Sequence, residues 1–478
     1  MSEDRTPIRT KAWAPAGHAL ALLTAFAVAT AGIAPAVSPA QAQDAALRGM
    51  PVIRDTEIEQ LLRDYAQPIL RAAGLAKQNV RVVVLGERSF NAFVMDGRHI
   101  FINAGALFDA KTPNEIIGVF AHETGHLAGG HLMKLREQLA TAQTASIVAM
   151  LLGVGAMVAG ARAGGGAGDV GMAAIMAPQS AIQRSLLAYV RTQEDQADHA
   201  GVKFLNATGQ SPKGMVELFT RLTNESLFNS RHIDPYLQSH PMPAERVAAL
   251  SAIAKASPNW DRKDSPELQL RHDMMRAKLS GFLDKPDTVA RRYRLGDHSL
   301  PARYARAISA YRHSGLKPAL VLIDELIQAQ PNNPYFFELK GQALLEGGRP
   351  ADAVAPLRRA AQLSHGAALI EIMLAQALNA TNNKAVAEEA AGLLRSAILR
   401  EPEAPEAYAQ LAMAYGRKGD LANADLAAAQ AAFTRGDIVT ARQLAARAKT
   451  RLPVGSPAWV RADDIVNVKP PKARNTPN

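Results

Sequence analysis

His122-Glu123-Thr124-Gly125-His126 decides the reading of this 478-residue chain. Two imidazoles four residues apart on a helix are rotated by only about 40° around its axis, so both can grip one cation. Glu123, beside the first histidine, points off that cation towards the water that would fill an open coordination position. Neutral nitrogen ligands suit a borderline-soft metal, and a carboxylate next to bound water can take its proton. The pattern is that of a zinc hydrolase. Pro113-Asn114-Glu115 opens the segment, and Ile116, Ile117, Val119, Phe120 and Ala121 keep it apolar up to the motif. Ring nitrogens and a carboxylate are costly on a buried apolar helix unless a cation pairs with them. The plainer alternative is a helix with a salt-bridged glutamate and two surface histidines.

The third ligand has two sources. A histidine six residues after His126, past a helix-ending glycine, would define a metzincin. That position is Leu132; His131 comes one residue early and, on a continuing helix, lies about 140° from His126. It reads as a group behind the ligands or at the surface. Downstream, Glu194 and Asp198 sit i,i+4 on one helical face. Glu194 supplies the carboxylate that the site lacks, and Asp198 can accept the outer N–H of a ligating histidine and fix its tautomer. Taken alone, an acidic helix face is usually only solvated.

With Glu194 and Asp198 added, the motif resembles the M48 peptidases, gluzincins that include the prenyl-protein proteases and the HtpX-type enzymes. Three more segments carry the resemblance. Asn91-Ala92-Phe93 with Gly97 to Asn103 is similar to the strand pair before the catalytic helix, Leu127 to His131 to the stretch after it, and Ser239-His240-Pro241 with Glu245-Arg246 to the family's His-Pro segment. The match covers roughly residues 50–260. It implies a mainly α fold with a small β-sheet: a gluzincin-type metalloprotease domain over 43–260, with one Zn2+ on His122, His126 and Glu194, and Glu123 as general base.

His240 precedes a proline, so its backbone is extended or in a turn. It can steady an oxyanion catalytically or, as a resting ligand, displace the water and hold the enzyme latent. Arg246, just past Pro241-Met242-Pro243, reads as a structural clamp. Asn91, Ala92 and Phe93 could form an edge strand to which an extended peptide adds by main-chain hydrogen bonds.

The flanking regions are of other kinds. Arg5, Arg9 and Lys11, the apolar run from Ala19 to Val37, and Ala40-Gln41-Ala42 read as a signal peptide over 1–42, which places the chain in the periplasm. There is no cysteine, which excludes disulfides, thiolate ligands and a cysteine nucleophile together, so packing must hold the domains. The formal charge is +10; removing residues 1–42, with three basic and two acidic side chains, leaves +9. No nucleic-acid signature accompanies that charge, which fits general electrostatics near anionic membrane surfaces. An apolar loop over 140–185 holds the uncharged run 145–161, a glycine cluster at 164–166 and 168, and a second run, 170–178. Neither run reaches the roughly twenty residues of a membrane helix. The loop reads as a hairpin packed on the protease core, as an element that touches a membrane or flanks the cleft, or, less simply, as a transmembrane hairpin.

In the C-terminal half, Ala319-x3-Ile323-x2-Leu326 recurs as Ala353, Leu357, Ala360 after 34 residues. It returns as Ala390, Leu394, Ala397, as Ala424, Ala428, Ala431, and after only half a period as Ala441, Ala445, Ala448. Small residues where two helices touch, repeated at 34, are similar to tetratricopeptide repeats. They are expected over 301–455, after a helical connector at 261–300 and before a disordered tail at 456–478. The half-period copy implies that helix 421–434 serves two neighbouring pairs and that the stack ends on an odd helix. His313 and His365 are isolated there.

The expected function is a periplasmic zinc endopeptidase acting on unfolded or misassembled proteins. The family resemblance implies outer-membrane β-barrel proteins as substrates and their assembly complex as a partner, reached through the repeats. The alternative is a chaperone or adaptor whose repeats bind clients and whose metal site is structural or latent.

Overall fold

Short runs of β-branched and aromatic residues build one sheet, and helices, several of them opened by proline, build the rest. The computed structural model describes residues 50–144, 167–228 and 235–468, with side chains at 50–144, 184–225 and 235–468. The segment expected to be a signal peptide, residues 145–166 of the expected apolar loop and the last ten residues lie outside that description.

Strands β1 (Val52–Ile53), β2 (Arg81–Leu85), β3 (Ala92–Val94) and β4 (His99–Asn103) form a sheet in the order β1-β2-β4-β3. β2 runs parallel to β4, whereas the outer strands pair antiparallel. β4 is buried along its whole length, and β3 stands at the edge.

Around the sheet pack helices α1 (Thr56–Ala72), α2 (Ala104–Asp109), α3 (Pro113–Gly129), α4 (Ala167–Ala207), α5 (Lys213–Phe228), α6 (Pro235–Ser239) and α7 (Ala244–Lys255). Asp55 caps α1 by accepting the N–H of Ile58, and Pro113 opens α3, where a missing N–H costs nothing. Ile58, Leu62, Ile100, Ile116, Phe120, Leu205 and Phe219 share one core. The described parts of the expected loop at 140–185 have helical backbone, at 131–144 and then in α4, which continues to the carboxylate pair. Ala, Met, Leu and Gln, all good helix formers, dominate that stretch. No helix among the described residues is long and apolar enough to cross a membrane.

Two helices follow in the connector, α8 (Pro266–Leu283) and α9 (Pro286–Arg292). α8 is buried on two sides. Met275 and Leu279 enter the core around the sheet, while Met274 and Ala277 enter the next one. Beside them Lys278, 4% exposed, reaches Asp55 (2.7 Å), Glu57 (3.2 Å) and Glu338 (3.8 Å). Tyr304 Oη donates to Glu57 at 2.9 Å and Thr56 Oγ1 to Glu338 at 3.3 Å. One ammonium and two hydroxyls thus hold two buried carboxylates, Glu57 and Glu338, and the half-buried Asp55 where the sheet-bearing part meets the C-terminal helices.

Those helices are α10 (Leu300–His313), α11 (Leu316–Ala329), α12 (Pro334–Glu346), α13 (Pro350–Leu363), α14 (Ala368–Ala380), α15 (Ala387–Arg400), α16 (Pro405–Lys418), α17 (Leu421–Thr434), α18 (Ile438–Lys449) and α19 (Pro457–Asn467). Each packs chiefly on its sequence neighbours, the pattern of a one-dimensional stack. The recurring triads are fully buried on α11, α13, α15 and α18. On α17 the burial moves to Leu426, Ala427, Ala429 and Ala432, because that helix packs on both α16 and α18. The tail expected at 456–478 is corrected over its first part, which forms α19. Ser456 caps it, and Ala462 and Ile465 close the core left open by α18. The stack therefore does not end on α18.

Candidate metal centre

The motif lies in the last turns of α3, whose residues from Pro113 to Gly125 are buried. Gly125 is needed there, since a Cβ would stand 2.8–2.9 Å from the backbone of Ala197 on α4. That close approach sets the two carboxylates of α4 against the two histidines of α3. His240 arrives from the turn after α6. One donor atom from each of His122, His126, Glu194 and His240 lies within 4.8 Å of the other three.

The donor atoms converge. His122 Nε2 is 3.1 Å from His126 Nε2 and 3.4 Å from a Glu194 oxygen, and His126 Nε2 is 3.4 Å from the other. His240 Nδ1 lies 3.1 and 3.2 Å from the Glu194 oxygens. Behind His122, Nδ1 meets Asp198 Oδ1 at 3.0 Å. Arg246 holds Asp198 with Nε at 2.7 Å and Nη2 at 2.9 Å, reaches Glu194 at 2.9 Å and donates to the Pro241 carbonyl at 3.0 Å. Arg246 thus ties the carboxylate pair to the His240 turn.

Burial alone would lower the pKa of His122, but the bonds to Asp198 and Glu194 raise it to about 9. His126 goes the other way, well below its ordinary value, by burial and by the charge of His122. Burial also raises Glu123. Glu194 is held well below the carboxylate range, because the charges and bonds of His240 and His122 outweigh its burial.

Among the described residues, neither oxygen of Glu123 has a hydrogen-bond partner, nor does His240 Nε2. These atoms face each other at 3.5 Å. A buried polar group without a partner costs about 1–3 kcal/mol. Lone pairs from three imidazoles and a carboxylate that meet beside such groups fit a cation of the zinc type and a polar reactant next to it. Asn91, Ala92 and Phe93 lead into and form the edge strand, which borders α3 and α6.

Two contacts escape the sequence reading, and a third settles one of its alternatives. Tyr236, one helical turn before His240, stacks near it with ring centroids 4.7 Å apart. Phe219 sets its edge on His122 at 5.6 Å. His131 is 4% exposed and lies against His126, not at the surface. Gly129-Gly130 is the signal that could have found it: glycine at a helix end breaks the continuous helix assumed for the 140° argument.

Residues 53–254 match the model of peptidase family M48, and this region of the chain is a metallopeptidase domain of that family. Among curated proteins the chain is similar to a putative beta-barrel assembly-enhancing protease of Vibrio cholerae, 25% identical over 60% of this chain and 59% of that one. It is similar also to the beta-barrel assembly-enhancing protease of Yersinia pestis, 23% identical over 86% and 83%. Metalloprotease LoiP of Escherichia coli is 31% identical over 36% of this chain and 61% of its own.

Proposed function

We propose that the chain is a zinc-dependent endopeptidase. The observation that carries this is the buried Glu123 carboxylate, without a partner, beside four convergent donors. His122, His126 and Glu194 would hold the metal, which when bound supplies Lewis acidity to a water and a peptide carbonyl. Glu123 accepts the proton that the attacking water loses as its oxygen bonds to the carbonyl carbon. It returns that proton to the nitrogen as the C–N bond breaks. Asp198 keeps the proton of His122 on Nδ1, which leaves Nε2 as the ligand lone pair. Substrate backbone would pair with the edge strand β3.

The wider setting is read from the sequence and the relatives. The basic, apolar N-terminus supports export to the periplasm. The relatives' name supports misassembled outer-membrane β-barrel proteins as substrates, with the helical stack recruiting them or their assembly complex. A second reading is favoured by His240: a fourth protein donor closes the site, and a closed site is structural or latent. That is the chaperone or adaptor alternative.

Glu123→Gln separates the two. Zinc should stay bound while hydrolysis of an unfolded protein falls by about 10²–10⁴-fold. Undiminished hydrolysis in a zinc-loaded variant overturns the role of Glu123. His240→Ala should raise basal cleavage if the residue is a resting ligand and remove it if it is catalytic. Unchanged turnover counts against both roles.

A further inference from the structure

His131 is left over from the metal site as described, yet it is built closely against it. α3 ends at Gly129, and Gly130 takes the left-handed conformation (φ 63°) with its N–H on the carbonyls of His126 and Leu127. The chain then turns, and a new helical run starts at 131. This break swings His131 back over α3 instead of continuing about 140° around it. His131 Nδ1 comes to 3.0 Å from His126 Nδ1, with the rings nearly perpendicular at 83°. A Cβ on Gly129 would overlap the His131 imidazole. Gln193 Nε2 donates to the His131 carbonyl at 3.1 Å.

Hydrogen-bond logic gives this contact a direction. His126 Nε2 faces the donor cluster, so as a metal ligand it must carry a lone pair, and the proton of the neutral ring sits on Nδ1. Two Nδ1 atoms at 3.0 Å need one donor and one acceptor. With His126 donating, His131 accepts on Nδ1 and holds its own proton on Nε2.

We infer that His131 is a positioning residue for the metal: it accepts the outer N–H of His126 and so does for the second histidine ligand what Asp198 does for the first. The inference rests on the metal-site reading above. It also gives the two ligands unlike supports. His122 is backed by a carboxylate locked to Arg246, and His126 by an imidazole. Outer partners of this kind orient the ligand ring and raise its basicity.

Zinc affinity by chelator competition and the visible spectrum of the cobalt(II) form test this on the full chain, with no substrate present. His131→Leu should bind zinc about 10–100-fold more weakly and shift the cobalt bands. His131→Asn, whose side-chain oxygen stands about where Nδ1 stands, should recover affinity to within a few-fold. Gly129→Ala keeps His131 but drives its ring aside, and should weaken zinc binding too. This variant also covers a His131→Leu chain that fails to fold. Wild-type affinity and spectrum in both His131→Leu and Gly129→Ala overturn the inference alone. A wild-type chain that takes up neither metal overturns the site reading and this inference with it.

Discussion

At the metal centre and at the Lys278 junction the chain buries ionisable side chains in comparable depth, but it satisfies them in different ways. Around Lys278, three carboxylates from α12 and the start of α1 find an ammonium, a tyrosine and a threonine of the protein itself. Around His122, the outer nitrogen and the second carboxylate are equally well tied, to each other and to Arg246, while the inner lone pairs converge on one another and both oxygens of Glu123 stay unpartnered. The first arrangement gives each carboxylate at least one partner from the protein, although Glu338 Oε2 lies 3.8 Å from Lys278 without a hydrogen bond, and it joins two parts of the fold. The second is completed only by something bound. What sets the second apart is that both oxygens of one carboxylate, among the described residues, lack a hydrogen bond beside four convergent donors.

Substitution should break that comparison most sharply at Lys278. Lys278→Met strands three carboxylates and should destabilise the protein by about 3–5 kcal/mol in denaturant unfolding. Glu123→Gln in zinc-free protein should cost little or raise stability slightly, since no hydrogen bond is lost. A loss at Glu123 as large as that at Lys278 would erase the distinction.

Zinc offers the next largest effect. At a free concentration one hundred times its Kd it should stabilise the wild type by about 2.7 kcal/mol. Glu194→Ala should lose most of that increment, and Lys278→Met should keep it, as followed by thermal unfolding with and without metal.

The junction should also titrate. Burial raises Glu338 from 4.5 to about 7, even though Lys278 pulls it down. A carboxyl group with a raised folded pKa contributes stability that is fully present below its unfolded pKa, near 4.5, and is lost as pH rises through about 7. Stability should thus fall on the order of 1 kcal/mol between pH 6 and 8, and Glu338→Gln should flatten that slope. The smallest effect is expected at the rim. Arg54, 39% exposed, pairs with Glu401 at 2.9 Å, and Arg54→Ala should cost about 0–1 kcal/mol, less at high salt.

What could be read from the sequence was whatever is local. His122 and His126, like Glu194 and Asp198, are each one helical turn apart, so the helix period alone puts each pair on one face. The triads of α11, α13 and α15 are likewise a period. The misses come from contacts that no period encodes. Tyr304 and Glu57 lie 247 residues apart, and nothing near either announces the other. α19 was hidden because Trp459, Ala462 and Ile465 acquire their purpose only from the open end of α18. His131 was left between a place behind the ligands and one at the surface, because a continuous helix was assumed across Gly129-Gly130, where the backbone turns left-handed and puts the ring behind His126.

The central claim is that the buried donors exist to hold a metal that makes Glu123 a working base. The most direct test is metal content and hydrolysis of an unfolded protein in one preparation, before and after chelation. The account predicts one zinc per chain, loss of cleavage with loss of the metal, and recovery on adding one equivalent back. Cleavage that survives complete removal of the metal would contradict it.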